Sequence, residues 1–236
     1  FQSIAFRTTD GGNWEAVLTS EAGEIFQAIF ALDENRCWIT TAWKGMEVLR
    51  TIDGGRTWEK NPAPGWIFDL QFLSPQEGWA VGIKWPEERN KGIILHTSDG
   101  GRSWKAVKSV DRPLYALHFP NPETGWAAGK GILLRTRDGG ATWEEVRVDR
   151  YLSSSEVILT SVWFLNDCEG WVAGHRGTIL RTSDGGESFE VLSPSGLGEA
   201  ILTGIAFPKG RKGWCVGWYK RIGKLGVEVE RGIILR

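Results

Sequence analysis

Leu49-Arg-Thr-Ile-Asp-Gly-Gly-Arg-Thr-Trp58 decides how this chain folds, because the chain repeats it. It returns as Leu95-His-Thr-Ser-Asp-Gly-Gly-Arg-Ser-Trp104 and as Leu134-Arg-Thr-Arg-Asp-Gly-Gly-Ala-Thr-Trp143. Phe replaces Trp in Leu180-Arg-Thr-Ser-Asp-Gly-Gly-Glu-Ser-Phe189. Phe6-Arg-Thr-Thr-Asp-Gly-Gly-Asn-Trp14 is one residue shorter between Asp and Trp. The aspartates Asp10, Asp53, Asp99, Asp138 and Asp184 are 43, 46, 39 and 46 residues apart. A period of this size marks stacked supersecondary units, each covering its neighbour's apolar face.

The residue types define a turn. An Asp carboxylate accepts hydrogen bonds from N–H groups just downstream. Gly-Gly supplies backbone conformations with positive φ. The Ser or Thr two residues before Asp adds a hydroxyl. The Trp that follows is expected to bury its ring between neighbouring units. Five copies point to architecture, so these aspartates are expected to be structural rather than metal ligands or catalytic acids.

Each interval has the same internal order. A strand (A) with period-two alternation ends in Phe30, Phe72, Phe119, Phe164 or Phe207. A strand (B) begins with Gly78-Trp79, Gly125-Trp126, Gly170-Trp171 or Gly213-Trp214, with Cys37-Trp38 in the first full unit. Apolar strand C enters the Asp turn and short strand D leaves it. No segment holds a helical period. The expected fold is an all-β propeller of four-stranded antiparallel blades, about five in this chain, read as one domain over 1–236. Blade units are expected near 25–60, 66–108, 113–148, 157–192 and 201–236, with a C–D pair in 1–18. That is a redundant strand for a five-bladed ring, or a truncated larger propeller. An array left open would expose sheet edges and self-associate.

Composition narrows the function classes. Lys plus Arg is 28 against 29 for Asp plus Glu, which gives no global case for nucleic acid or an acidic membrane surface. No apolar run approaches the roughly 18 residues of a spanning helix, so no membrane span is expected. Cys37, Cys168 and Cys215 are odd in number and widely spaced, which argues against a disulfide framework. Cys37 and Cys215 adjoin Trp and are expected to be small buried hydrophobes. His96, His118 and His175 fall at different repeat positions. No metal or cofactor motif is present, so none is expected. The chain begins with Phe1 and shows no export signal, which leaves processing open.

The turn Ser/Thr-x-Asp-Gly-Gly-x-Ser/Thr-Trp resembles the Asp box, or bacterial neuraminidase repeat. Together with Gly-Trp strands such as Glu77-Gly-Trp79, it is most similar to photosystem II stability/assembly factor-like proteins. That resemblance implies a propeller of seven blades, a non-enzymatic scaffold that binds a protein partner, and export to the periplasm or outside. Cytoplasmic residence stays open. The same turn occurs in sialidases and xyloglucan-cleaving glycosidases, so it specifies fold better than function.

Function is expected in the B–C and D–A loops, opposite the Asp turns, because they vary between copies. The B–C loops carry Trp43-Lys44, Lys84-Trp85, His175-Arg176 and Trp218-Tyr219-Lys220-Arg221. Cations beside aromatics suit a protein segment or a planar ligand. The Arg before the turn (Arg7, Arg50, Arg135, Arg181, Arg236) is expected to be structural. The alternatives are a carbohydrate-active or carbohydrate-binding propeller, with Asp69 as its best isolated acid, and a propeller fragment without function of its own. Sialidase chemistry lacks its Phe/Tyr-Arg-Ile-Pro motif here, since Arg221-Ile222 is followed by Gly223.

Overall fold

The computed structural model describes residues 1–86, 88–194, 196–209, 212–222 and 228–235, with side chains described through 219 except at 209. The chain forms two compact units, Phe1–Pro113 and Leu114–Arg236. The first opens with a two-stranded sheet, β1 (Ile4–Arg7) and β2 (Glu15–Thr19). Two four-stranded antiparallel blades follow. One is β3 (Ile25–Ala31), β4 (Cys37–Ala42), β5 (Glu47–Thr51) and β6 (Glu59–Pro62). The other is β7 (Trp66–Phe72), β8 (Gly78–Ile83), β9 (Gly92–Thr97) and β10 (Lys105–Val110).

The second unit holds β11 (Leu114–His118), β12 (Gly125–Gly129), β13 (Ile132–Thr136) and β14 (Glu144–Val146). Then come β15 (Leu159–Phe164), β16 (Gly170–Gly174), β17 (Ile179–Thr182) and β18 (Glu190–Val191). It ends with the three-stranded sheet β19 (Ala200–Lys209), β20 (Lys212–Ile222) and β21 (Glu228–Leu235). Among the described residues the strands thus run C–D, four times A–B–C–D, then A–B–C, as the repeat order implies.

The Asp turns are built as their chemistry dictates. Thr57 donates its hydroxyl to Asp53 Oδ2 at 2.6 Å and its N–H to Oδ1 at 2.9 Å. Thr51 donates to Oδ1 at 2.9 Å and accepts the Gly55 N–H at 2.8 Å. Gly54 and Gly55 have φ of 71° and 86°, which only glycine adopts without strain. Asp138 and Asp184 repeat this with Thr142 and Ser188. In the shorter first copy, the Asn13 amide replaces the hydroxyl on Asp10 Oδ2, at 2.8 Å. The Thr57, Thr142 and Ser188 hydroxyls hold their carboxylates down at about 2. At Asp99 desolvation pushes upward, but the Ser103 hydroxyl and N–H and further hydrogen bonds outweigh it, again to about 2.

The core explains the Gly-Trp strands. A Cβ on Gly78, Gly125, Gly170 or Gly213 would lie 2.6, 2.4, 2.3 or 2.4 Å from the ring of Phe72, Phe119, Phe164 or Phe207. The strand-A Phe therefore requires glycine opposite it. In three blades the strand-B Trp covers the following blade. Trp38 stacks on Phe72 at 3.6 Å, Trp126 on Phe164 at 3.9 Å and Trp171 on Phe207 at 3.8 Å. Such stacking adds about 0.5–1.5 kcal/mol beyond area burial. The turn Trp packs beside these stacks: Trp104 and Trp143 meet Phe72 and Phe119 edge-on, each at 5.8 Å. Trp104 lies against a core cluster that includes Trp38 and Val48 of the preceding blade and Phe72 of its own, packed between neighbouring units as expected.

The first full blade departs from the pattern. Phe30 pairs with Trp38, and Ala31 pairs with Cys37. In the second blade Phe72 pairs with Gly78. Ala31, not Phe30, therefore holds the strand-A Phe position, which corrects the register read from sequence. With no ring opposite it, position 37 tolerates a side chain, and Cys stands where the other blades have Gly.

The Arg before each turn is structural. Arg7 Nη1 donates to the Gly54 carbonyl at 2.7 Å, and Arg135 Nη1 donates to that of Gly185. Arg50 pairs with Glu59 at 2.9 Å, Arg135 with Glu144 at 2.6 Å and Arg181 with Glu169 at 2.8 Å. His96, in the same position, pairs with Glu77 at 2.6 Å. Arg236 lies outside the described residues.

Candidate partner-binding face

In the first unit, the two B–C loops and the start of strand β7 bring aromatic rings together. Trp43 leaves β4, and Trp85 leaves β8 two residues after Ile83. Trp66 and Phe68 open β7, two apart on one sheet face, and stack at 5.1 Å. The Trp66 ring takes Trp43 edge-on at 6.0 Å and Trp85 edge-on at 6.0 Å. These are favourable edge-to-face separations. The Arg89 guanidinium lies 4.1 Å over the Trp85 ring.

Trp43 is 71% exposed and has φ of 80°. A bulky residue in that region is strained by about 1–3 kcal/mol. Edge contact with Trp66 is worth about 0.5–1.5 kcal/mol. Fold stability alone does not account for an indole there.

The lysines are less available than their sequence suggests. Lys44 faces Glu21 at 3.8 Å. Lys84 and Lys91 both pair with Glu88, at 2.8 and 2.6 Å. The Lys84 hydrogen bond, then that of Lys91, pulls Glu88 down to about 2. The face is therefore aromatic, with Arg89 stacked on it and acid–lysine pairs around it.

Sequence reasoning placed Trp43, Lys44, Lys84 and Trp85 here but missed Trp66, Phe68 and Arg89. The Trp66-x-Phe68 alternation was the available signal. It was read as the start of a strand rather than as the floor between two loops.

The remaining residues lie in the second unit. His175 and Arg176 form a tight hairpin turn, with φ of 60° at Arg176 and 64° at Gly177. Such a turn fits the twist of its strands. Thr178 donates its N–H and its hydroxyl to the His175 carbonyl, and burial lowers the His175 pKa. Trp218, Tyr219, Lys220 and Arg221 were expected in a long loop. They belong to β20, which runs through Ile222 and pairs residue by residue with β21. That pairing extends the hairpin past the expected loop start. Tyr219 packs on the core of its sheet. The side chains of Lys220 and Arg221 lie outside the described residues.

Asp69 accepts the N–H of Leu70 at 2.9 Å. Among the described residues no group of three His, Cys, Asp or Glu side chains could hold a metal, and no helix is long and apolar enough to cross a membrane.

Four-stranded antiparallel blades, Asp turns on one end and variable loops on the other define the class: a repeat protein of the β-propeller type. The chain belongs to the family described as photosynthesis system II assembly factor YCF48, whose model matches residues 62–155 and 107–195. Among curated relatives, the photosystem II stability/assembly factor HCF136 of Arabidopsis thaliana is 35% identical over 66 residues, 27% of this chain and 15% of that protein. The photosystem II assembly lipoprotein Ycf48 of a Synechococcus species is 32% identical over 129 residues, 52% of this chain and 35% of that protein. The matches thus take in about a sixth to a third of those relatives' lengths. The structure of YCF48 from Cyanidioschyzon merolae superposes with a TM-score of 0.65 at 20% identity, covering 91% of this chain and 74% of that one. A GH74 xyloglucanase from Xanthomonas campestris superposes at 0.67 and 14% identity, over 90% of this chain and 36% of that one. These two likenesses concern the fold.

Proposed function

We propose that this chain is a non-enzymatic scaffold of photosystem II assembly, holding a protein partner on the face formed by Trp43, Trp66, Trp85 and Arg89. The observation that carries this reading is the strained, exposed Trp43 set edge-on to Trp66. An indole kept where the backbone disfavours it points to use of its surface. Family membership supplies the partner class, a photosystem II subunit. Aromatic and Arg side chains are the groups that most often dominate binding energy at such surfaces. Lys44 and Lys84 serve at the rim; His175, Arg176, Trp218, Tyr219, Lys220 and Arg221 belong to the second unit and carry no part of this reading. Export to a non-cytoplasmic compartment follows the naming of the relatives as a chloroplastic protein and a lipoprotein.

Titration calorimetry of the protein against purified photosystem II reaction-centre subunits tests the reading. Trp43→Ala, Trp66→Ala and Trp85→Ala together should weaken binding by at least about tenfold. Unchanged affinity rejects this face. Release of reducing sugar from xyloglucan by the purified protein, abolished by Asp69→Asn, would replace the scaffold reading with a glycosidase.

A further inference from the structure

The aromatic face has a carboxylate at its edge that the fold leaves unused. Glu24 is 4% exposed, and among the described residues its carboxylate makes no hydrogen bond and no ion pair. Burying a carboxylate without a partner opposes folding. Its backbone is fixed: the Glu24 N–H donates to the Glu21 carbonyl at 3.1 Å, and the Ser20 hydroxyl donates to the Glu24 carbonyl at 3.0 Å. The neighbouring cations are already taken. Lys60 pairs with Glu21 at 3.4 Å and with Glu47 at 3.9 Å, and Lys44 pairs with Glu21 at 3.8 Å. Glu24 acts on Lys60 only through space. Three carboxylates thus share two ammonium groups.

Register sets Glu24 beside the strained indole. The β3–β4 ladder ends with Ile25 opposite Ala42, so the next residues outward, Glu24 and Trp43, leave it across from each other. Paired residues of such a ladder are about 5 Å apart, which keeps Glu24 and Trp43 within side-chain reach. The second blade shows what covers an indole in this setting. Trp85 leaves β8 as Trp43 leaves β4, and both rings meet Trp66 at 6.0 Å. Trp85 carries the Arg89 guanidinium 4.1 Å over its ring. Trp43 is 71% exposed, and among the described residues no cation lies over it. A bare indole next to an unpaired carboxylate suits a guanidinium, which stacks flat on an aromatic face and bonds a carboxylate through its N–H fork.

We propose that Trp43 and Glu24 together receive an arginine side chain of the docked partner, its guanidinium stacked on the indole and hydrogen-bonded to the carboxylate. This rests on the partner-binding reading of the face and adds the chemistry of the group that enters it. The incoming charge matches the one carboxylate that no lysine holds. The exposure of Trp43 and the isolation of Glu24 are then two sides of one pocket.

Model compounds separate this pocket from the face as a whole. N-acetylarginine methylamide is titrated into the intact protein while the indole N–H resonances are followed by NMR, with N-acetylcitrulline methylamide as the neutral isostere. The arginine compound should shift the Trp43 resonance, assigned by its loss in Trp43→Phe, in a saturable way. The citrulline compound should bind at least about tenfold more weakly. Glu24→Gln should abolish that preference without lowering the melting temperature by more than about 3 °C, since no partner within the fold is lost. Calorimetry against purified photosystem II reaction-centre subunits should show the same substitution weakening capture at least about tenfold. Equal shifts from the two compounds, an arginine preference that survives Glu24→Gln, or a larger fall in melting temperature, which would make Glu24 a structural partner, would overturn the proposal. Subunit capture that needs Trp43, Trp66 and Trp85 but is indifferent to Glu24→Gln would overturn it and keep the face. Arginine-selective binding by a protein that captures no subunit would uphold the pocket and reject the photosystem II partner.

Discussion

Replacing Gly125 with Ala should destabilise the protein by about 1–2 kcal/mol, although alanine normally stabilises a strand relative to glycine by about 0.5–1 kcal/mol. The added Cβ would sit 2.4 Å from both Cε1 and Cζ of Phe119. That is about 1 Å inside ordinary carbon–carbon contact. Phe119 is 3% exposed and held edge-on by Trp143 at 5.8 Å, so it has little room to yield. Overpacking of this kind costs about 1–3 kcal/mol and outweighs the glycine entropy gain. Phe119→Ala alone should cost about 3–5 kcal/mol by leaving a cavity. The double variant removes the clash and partly fills that cavity, reproducing the small pair that Ala31 and Cys37 form in the first full blade. Its loss should fall short of the sum of the singles by at least about 1 kcal/mol. Thermal melts of the four proteins test this, at about 2–4 °C per kcal/mol for a chain of this size. Additivity within about 0.5 kcal/mol would refute the Phe–Gly coupling.

Acid should destabilise the fold in two windows. The buried His118, stacked on Trp163 and accepting the Phe164 N–H at Nδ1, has its pKa pushed down to about 4 by desolvation. Its unfolded value is about 6.5, so the unfolded state takes up the proton first and stability falls from pH ~6.5 to ~4. Asp53, Asp99, Asp138 and Asp184 stand at about 2 against about 3.9 unfolded, so their contribution is complete above pH ~4 and lost down to ~2. His118→Gln should remove only the upper window from a series of melts against pH. Trp43→Gly should leave the melting temperature within about 3 °C, because relief of strain offsets the lost edge contact, while weakening partner binding. Of the three thiols, Cys168 is exposed, whereas burial pushes Cys37 and Cys215 up to about 11. Ellman's reagent at pH 8 should therefore titrate one thiol quickly in the native protein and three after unfolding.

The blade order was legible because its signals are local. The Asp-Gly-Gly turn carries its own hydrogen bonds, and Gly-Trp marks strand B wherever a Phe needs the space above it. The register of β3 was not legible, since Phe30 ends the strand pattern as well as Ala31 does. Only pairing with Cys37 and Trp38 distinguishes them. The face was half legible for a similar reason. Trp43 and Trp85 stand out in irregular loops, whereas Trp66 and Phe68 sit inside a regular strand and join them only through packing between blades. The run Trp218–Arg221 looked like loop because its polar residues follow an aromatic pair, yet β21 pairs with it along its length. Neutralisation of Lys44 and Lys84 depends on Glu21 and Glu88, and the Lys44–Glu21 pair crosses between loops that the sequence does not link.

The most direct test of the central claim is hydrogen–deuterium exchange on the intact protein, alone and with purified photosystem II reaction-centre subunits. The account predicts slowed exchange in the loops 43–46 and 84–91 and at the start of β7, with the Asp turns unchanged. Slowing confined to the Asp turns, or no change in the two loops while a complex forms, would contradict it.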